Sequence, residues 1–173
     1  MYHFEFLVLL GLFIGAQAVT QNDLREALNT GEKIWLKCRT YNYQGHSCVY
    51  TKKVSLISTN YTFDQYFKDG EEQKHHRLYA KLEDGSTDPS MTVSTKPDET
   101  GGLKYVLHFW SKDEKCGILG VHLNGQNQYE VHVWDSNVGG QRPSCDAKYQ
   151  ELSRGKQSYE IYFSSCKSDT EEN

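Results

Sequence analysis

The stretch that decides the fold is Gln128-Tyr129-Glu130-Val131-His132-Val133-Trp134-Asp135, which lies between Cys116 and Cys145. Its side chains alternate between two faces, with Tyr129, Val131 and Val133 on one and Glu130, His132 and Trp134 on the other. Alternation of β-branched and aromatic residues with a period of two predicts a half-buried β-strand. An acid, an imidazole and an indole on one face are unusual for a plain core. A carboxylate beside aromatic rings is suited to hold a small organic cation out of water.

Further strands are predicted on both sides of this one. Turn residues bound short runs rich in β-branched and aromatic residues at 33–41, 48–59, 61–67, 77–82, 91–95, 103–110, 117–123, 129–134 and 158–163. The pair Asn124-Gly125 predicts a two-residue hairpin turn. Short helices are predicted at 20–28 and 145–155. Regularly spaced strands between two helices favour a mostly β fold, a closed antiparallel barrel, with a β-sandwich as the alternative.

The chain begins with a short apolar run at 6–14, followed by Ala16-Gln17-Ala18. Such a run is too short to span a bilayer, and small residues at this spacing are typical of a signal-peptide cleavage site. We predict a signal peptide at 1–18 and a single barrel domain at 19–173, which makes the protein secreted. No other segment is apolar enough to span a membrane, so we expect no membrane partner.

Charged residues are mixed along the chain, with 19 Lys and Arg against 23 Asp and Glu and a formal net charge of −4. The absence of a basic stripe argues against nucleic-acid binding. No motif of a hydrolase nucleophile, a zinc protease or a phosphate-binding loop is present, and we expect no catalysis and no cofactor.

The histidines offer little for a metal ion. His75 and His76 are adjacent, so in a strand they point in opposite directions. His122 and His132 would give at most two ligands if they were cross-strand neighbours around the Asn124-Gly125 turn. Structural metal sites use more ligands than this, and we expect no metal site.

Five cysteines in a secreted chain imply disulfide bonds, although the sequence alone does not choose among the possible pairings. Asn60-Tyr61-Thr62 is an N-glycosylation sequon, which makes Asn60 the predicted glycosylation site.

The chain resembles the salivary lipocalins of ticks, the group that includes the histamine-binding proteins. The residues that carry the resemblance are the run Trp-Leu-Lys-Cys-Arg-Thr-Tyr at 35–41 with Cys48 after it, Tyr129-Glu130-Val131 between Cys116 and Cys145, and Cys166 close behind Tyr162-Phe163-Ser164. The similarity covers nearly all of the chain after the signal peptide, although the Gly-x-Trp signature of lipocalins at large is missing. It implies an eight-stranded antiparallel barrel around a ligand cavity.

The resemblance also implies a disulfide pattern, Cys48 with Cys166 and Cys116 with Cys145. Each bridge would close a long loop and stabilise the fold by roughly 3 to 5 kcal/mol in the chain-entropy model. Cys38 is then left over. It is either a buried thiol packed as a small hydrophobe in a monomer, or the bridge to a second chain in a dimer.

Amine-binding members of this family have acids and aromatic residues that can be matched here one by one. Glu130 matches the family's amine-binding glutamate, and Tyr41 matches a site tyrosine. Gly117 stands where the family has an acid after Cys116, and His132 stands where it has an aromatic residue. The Asp and Trp expected after Tyr41 are absent from 42–47.

The chemistry of the matched residues predicts how they would act. An ammonium group taken out of water needs a paired, hydrogen-bonded counter-charge. We expect Glu130 to supply it, with Tyr41 as a hydroxyl partner and Trp134 as a cation–π wall. Protonated His132 would repel a cation, but the ring can also hydrogen-bond Glu130.

Two more candidates lie on the predicted strand at 103–110. His108 and Trp110 share a face by strict alternation and are candidate ligand-binding residues. Alternation does not say whether they or Leu107 and Phe109 point inward.

The resemblance implies capture of a ligand rather than turnover. The expected function is sequestration of a small host mediator, a biogenic amine such as histamine or serotonin, by a protein secreted in tick saliva to suppress inflammatory and immune defence. The alternative is a lipid or sterol in the cavity, or a host immune protein bound by the outer surface. A lipid binder would carry an extractable ligand, and a protein-directed activity would be insensitive to mutations inside the barrel.

Overall fold

A computed structural model describes residues 18–83 and 87–168, most of which form an antiparallel β-barrel. The predicted signal peptide at 1–18 lies almost entirely outside these residues. The helices are α1 (Gln21–Leu28), α2 (Pro143–Leu152) and α3 (Ser165–Ser168). The strands are β1 (Ile34–Arg39), β2 (His46–Ile57), β3 (Asn60–Asp69), β4 (Glu72–Leu82), β5 (Ser90–Ser94), β6 (Leu103–Ser111), β7 (Cys116–Leu123), β8 (Gln126–Trp134) and β9 (Tyr159–Glu160).

The barrel closes through β1. Strands β2 to β8 each pair antiparallel with the next, and β1 pairs with both β8 and β2. Strand β9 joins the far end of β1, at Cys38 and Arg39. The expected closed eight-stranded barrel is therefore confirmed, and the sandwich alternative is wrong.

The hairpin between β7 and β8 turns at Asn124 and Gly125, as the sequence predicts. Both residues have positive φ, 50° and 77°, and Leu123 pairs with Gln126 across the turn. A two-residue turn needs this left-handed backbone at both positions, because it matches the twist of the strands. The turn fixes the register of β8 and thereby the face on which its side chains lie.

The final predicted strand, 158–163, is wrong beyond Glu160. The amides of Ile161 and Tyr162 both donate to the carbonyl oxygen of Lys37, so the chain leaves the sheet there. It continues into α3, which the sequence pattern does not predict. This turn brings Cys166 against Cys48.

Helix α1 covers one end of the barrel and forms its floor. Thr20 caps the helix, accepting from the Asp23 amide while the Asp23 carboxylate accepts from the Thr20 amide. Leu24 and Leu28 are buried on the same helix face, one turn apart. They join an inner core with residues of the facing strands, Tyr61, Phe63, Ala80, Leu82, Met91, Leu107 and Leu119.

A second core lies outside the barrel, beneath α2 and the C-terminal segment. Its buried members include Trp35, Ile118, Val131, Val133 and Tyr149. The disulfides Cys48–Cys166 and Cys116–Cys145 lie in this core, with Cα separations of 5.3 and 6.2 Å. The pairing implied by the resemblance is therefore confirmed.

Cys38 is a free thiol in the outer core and is 8% exposed. Burial raises its pKa to about 11. Asn60, at the start of β3, is exposed. Across 18–83 and 87–168, no helix is long and apolar enough to cross a membrane.

Candidate functional site

The barrel encloses a cavity of about 600 Å³ above the floor made by α1. Its walls are mostly apolar. Polar side chains gather where β1 meets β8 and in the segment that follows β1. They include Arg39, Tyr41, Tyr43, Glu130 and His132, and Tyr105 on β6 lines the cavity as well.

Strand β8 supplies the acid of the site. Glu130, His132 and Trp134 line the cavity, whereas Val131 and Val133 belong to the outer core. The alternation expected for this strand is confirmed. It follows from the pleat, which turns successive side chains to opposite faces.

Glu130 is 5% exposed and is held by two side chains. The Tyr41 hydroxyl donates to its Oε1, and Nε2 of His132 lies 2.8 Å from its Oε2. Burial alone raises the pKa of this carboxyl. The hydrogen bonds from His132 and Tyr41 and the charge of Arg39 outweigh burial and hold the pKa of Glu130 below its ordinary value of 4.5. The carboxylate is therefore ionised at neutral pH.

The two phenols near Glu130 stay protonated. Burial and the Glu130 charge raise the pKa of Tyr41 well above its ordinary value, and the same two causes raise the pKa of Tyr105. Tyr41 can therefore act as a donor to Glu130 at any physiological pH. Tyr105 was not singled out from the sequence, because nothing in the run at 103–110 distinguishes it from a core tyrosine.

Arg39 is the main site residue that the sequence analysis missed. It lines the cavity, is 5% exposed and lies directly opposite Glu130 in the pairing of β1 with β8. Its guanidinium carbon is 4.9 Å from the centre of the Tyr41 ring, and Nη2 donates to the Tyr43 carbonyl over 3.3 Å. Within the described part of the chain, Nε of Arg39 has no hydrogen-bond partner.

A β-bulge explains why Arg39 was missed. Ile34 and Leu36 line the cavity, and strict alternation would place Arg39 on the outer face. The register shifts between Leu36 and Cys38, which turns Cys38 into the outer core and Arg39 into the cavity. No residue type in β1 predicts a bulge at this position.

Trp110 and Trp134 lie at the floor, where α1 meets the barrel wall. Nε1 of Trp134 donates to the Ala27 carbonyl and Nε1 of Trp110 donates to Glu26, each over 2.9 Å. The two rings are 5.4 Å apart. Both indoles line the cavity, but their N–H groups are committed to the helix and leave only ring surface for a ligand.

His108 does not lie with Trp110, so the expected shared face is wrong. A second bulge, between Leu107 and Phe109, breaks the alternation of β6. Leu107 and Trp110 line the cavity, whereas His108 is exposed on the outer face with its ring edge against Tyr129. The structure therefore brings Tyr41, Glu130, His132, Trp110 and Trp134 to the cavity and leaves His108 outside.

The histidines are dispersed. His75 stacks on Tyr66 and His76 contacts Phe67. The idea that His122 and His132 are cross-strand neighbours is wrong, because His122 pairs with Asn127 and His132 with Gly117. In the described ranges, no three His, Cys, Asp or Glu residues are grouped to hold a metal ion.

The arrangement is a mostly apolar cavity in whose wall a buried carboxylate, Glu130, and a buried guanidinium, Arg39, lie side by side. Gly117, opposite His132 in the sheet, offers no acid to the cavity; the nearest neighbours of a Cβ there would be Trp110, Leu107 and the Phe109 carbonyl. Such a cavity is suited to hold a small molecule with an apolar body and one polar end.

Comparisons with known proteins concern the fold and the family of the chain. No curated protein matches the chain in sequence. The crystal structure of the AM182 serotonin complex is similar, with 16% identity, a TM-score of 0.65, and coverage of 83% of this chain and 91% of that one. Japanin from Rhipicephalus appendiculatus bound to cholesterol has 11% identity, a TM-score of 0.60, and coverage of 79% and 96%. These two likenesses concern the fold. Residues 15–168 match the family model described as tick histamine binding protein, and the chain belongs to this family.

Proposed function

We propose that the protein is secreted in saliva and sequesters a biogenic amine of the host, with the ligand's ammonium group held by Glu130. The observation that carries this proposal is a carboxylate that is buried in a ligand-sized cavity and held in place by hydrogen bonds to Tyr41 and His132. A buried, ionised acid is costly unless it serves a partner, and an ammonium group is the matching one. Removal of the amine from the bite site would blunt host inflammatory and immune signalling.

The rest of the cavity suits this ligand class. Tyr41 and His132 each occupy one oxygen of Glu130 and fix its orientation, and each oxygen keeps a further acceptor position. The apolar walls toward the Trp110–Trp134 floor would bury an aromatic ring. Capture of this kind is stoichiometric and needs no reacting group. The serotonin of the AM182 complex supports an amine as the ligand class.

Calorimetric titration of the disulfide-bonded protein with histamine and with serotonin tests the proposal. We expect saturable one-to-one binding at micromolar concentration or tighter. An absence of heat and of competition with a fluorescent amine would contradict it.

A second candidate function is the capture of a lipid or sterol. The observation that favours it is the predominance of apolar residues around a 600 Å³ cavity. Japanin, whose crystal structure holds cholesterol, supports the same class. Organic extraction of the purified protein followed by mass spectrometry tests this candidate: a stoichiometric lipid would support it, and a clean extract from protein that then binds amines would contradict it.

A further inference from the structure

Two buried groups of opposite charge lie at the polar end of the cavity. Glu130 and Arg39 are each 5% exposed, lie opposite each other in the sheet and both line the cavity. Their charges cancel. A ligand that carries only an ammonium group would leave a net positive charge in a site with little water, next to a guanidinium that repels it.

The hydrogen bonding of Arg39 also favours a ligand with an acidic group. A guanidinium has five N–H donors, and Nε of Arg39 has no partner in the described part of the chain although it is shielded from solvent. Buried donors are almost always satisfied, so the orphan Nε shows that the protein's own acceptors match this guanidinium incompletely. The guanidinium is also held in place, 4.9 Å from the Tyr41 ring and 5.9 Å from the Tyr43 ring.

We propose that Arg39 binds a carboxylate of the ligand beside the ammonium held by Glu130, so that the preferred ligand is a zwitterion of the amino-acid type with an apolar or aromatic side chain. This inference rests on the proposed function, in which Glu130 takes the ammonium group. A zwitterion gives each of the two buried protein charges an opposite charge on the ligand. The planar fork of arginine matches a carboxylate in two parallel hydrogen bonds.

Matched ligand pairs that differ only in the carboxylate provide the test. The pairs are histamine and histidine, serotonin and 5-hydroxytryptophan, and tryptamine and tryptophan, each titrated by calorimetry into the full disulfide-bonded protein. We expect the amino acid of at least one pair to bind about tenfold more tightly than its amine or better, because it adds a charged hydrogen-bond pair and removes a repulsion.

Variants of β1 show whether Arg39 is the cause. Arg39→Met should lower the affinity for the amino acid at least tenfold and leave the amine bound equally or more tightly, which reverses the preference. Lys37→Met is the matched control, since it removes the same charge from the same strand on the outer face, where Lys37 pairs with Glu160. The control should keep the wild-type preference. If Arg39→Met does not fold, Arg39→Lys keeps the charge and loses the planar fork, and it should weaken binding of the amino acid while leaving binding of the amine unchanged.

The outcomes separate the two levels of inference. Preference for the amino acid that Arg39→Met reverses supports the zwitterion. Amines that bind while their amino acids bind more weakly overturn it and leave the proposed function standing. Failure of every amine and amino acid overturns both.

Discussion

Replacing Glu130 with Gln removes the charge of the proposed amine site and keeps its shape. The amide oxygen can still accept from Tyr41, and the amide nitrogen can donate to Nε2 of His132, so both contacts of the carboxylate have a substitute. The variant therefore changes the charge of the site without opening a cavity. We expect the fold to persist and amine binding to collapse.

The size of the loss follows from the burial of Glu130. An ammonium nitrogen in hydrogen-bond contact, about 3 Å away, gains about 5 kcal/mol at an effective dielectric constant of about 20. Desolvation of the two charges offsets part of this, and removal of one partner of a buried charge pair costs about 2 to 5 kcal/mol. The variant also leaves the amine beside an uncompensated Arg39, which acts in the same direction. We expect a loss of about 3 kcal/mol, roughly a 100-fold weaker affinity.

Calorimetric titration of wild type and variant with the same amine measures this loss. Glu160→Gln is the matched control, because it removes the same charge from β9, which pairs with β1; there Glu160 is exposed and pairs with Lys37 over 3.3 Å. Exposed pairs contribute little, so the control should stay within about twofold of wild type. Circular dichroism confirms that each protein is folded. A folded Glu130→Gln protein with near wild-type affinity would refute the assignment of Glu130.

The remaining predictions concern stability and accessibility. Cys38, with its pKa near 11, should not react with Ellman's reagent at pH 8 until the protein is unfolded, and the protein should run as a monomer without reductant; a covalent dimer would contradict this. The lowered pKa of Glu130 adds stability that is complete above pH 4.5, the ordinary pKa of the carboxyl, and is lost as the pH falls through the pKa in the folded protein. Denaturant titrations should therefore show a smaller loss of stability in acid for Glu130→Gln than for wild type. Equal losses would count against the low pKa. Trp134→Phe loses the bond to the Ala27 carbonyl and should cost about 2 kcal/mol, with faster amide exchange in α1; unchanged exchange would mean that the indole does not anchor the helix.

Local pattern and turn chemistry were enough to predict most of the strands, the alternation along β8 and the turn before it, and the family resemblance favoured the barrel over the sandwich and the cavity-facing Glu130. The Asn124-Gly125 turn is the clearest case, because positive φ at both positions is a local requirement that the two residue types meet. The length of the last strand was not predictable in the same way. The amides of Ile161 and Tyr162 bond to the carbonyl of Lys37, which lies 125 residues before Tyr162, and no local pattern encodes such a contact.

The contact of Ile161 and Tyr162 with the Lys37 carbonyl also affects the position of Arg39. Lys37 is the residue at which β1 bulges, and its carbonyl accepts both amides of the returning C-terminal segment. The Cys48–Cys166 disulfide closes that segment onto β2 and holds it near β1. We infer that the bulge, and with it the inward position of Arg39, is stabilised by the C-terminal segment.

Bulges therefore decide the charge of this cavity as much as residue types do. Under strict alternation β1 would turn Cys38 inward and Arg39 outward, and Glu130 would be the lone buried charge at the polar end, which is a site for a simple monocation. With the bulge, Arg39 lies opposite Glu130, and the same residues place two buried charges of opposite sign in the cavity wall. The bulge in β6 acts alike: strict alternation from Leu107 would place Trp110 on the outer face, and the shift of register turns it into the cavity. The shift of register in β1, which sequence alternation misses, thus decides whether the proposed site suits a simple amine or an amine that also carries an acid.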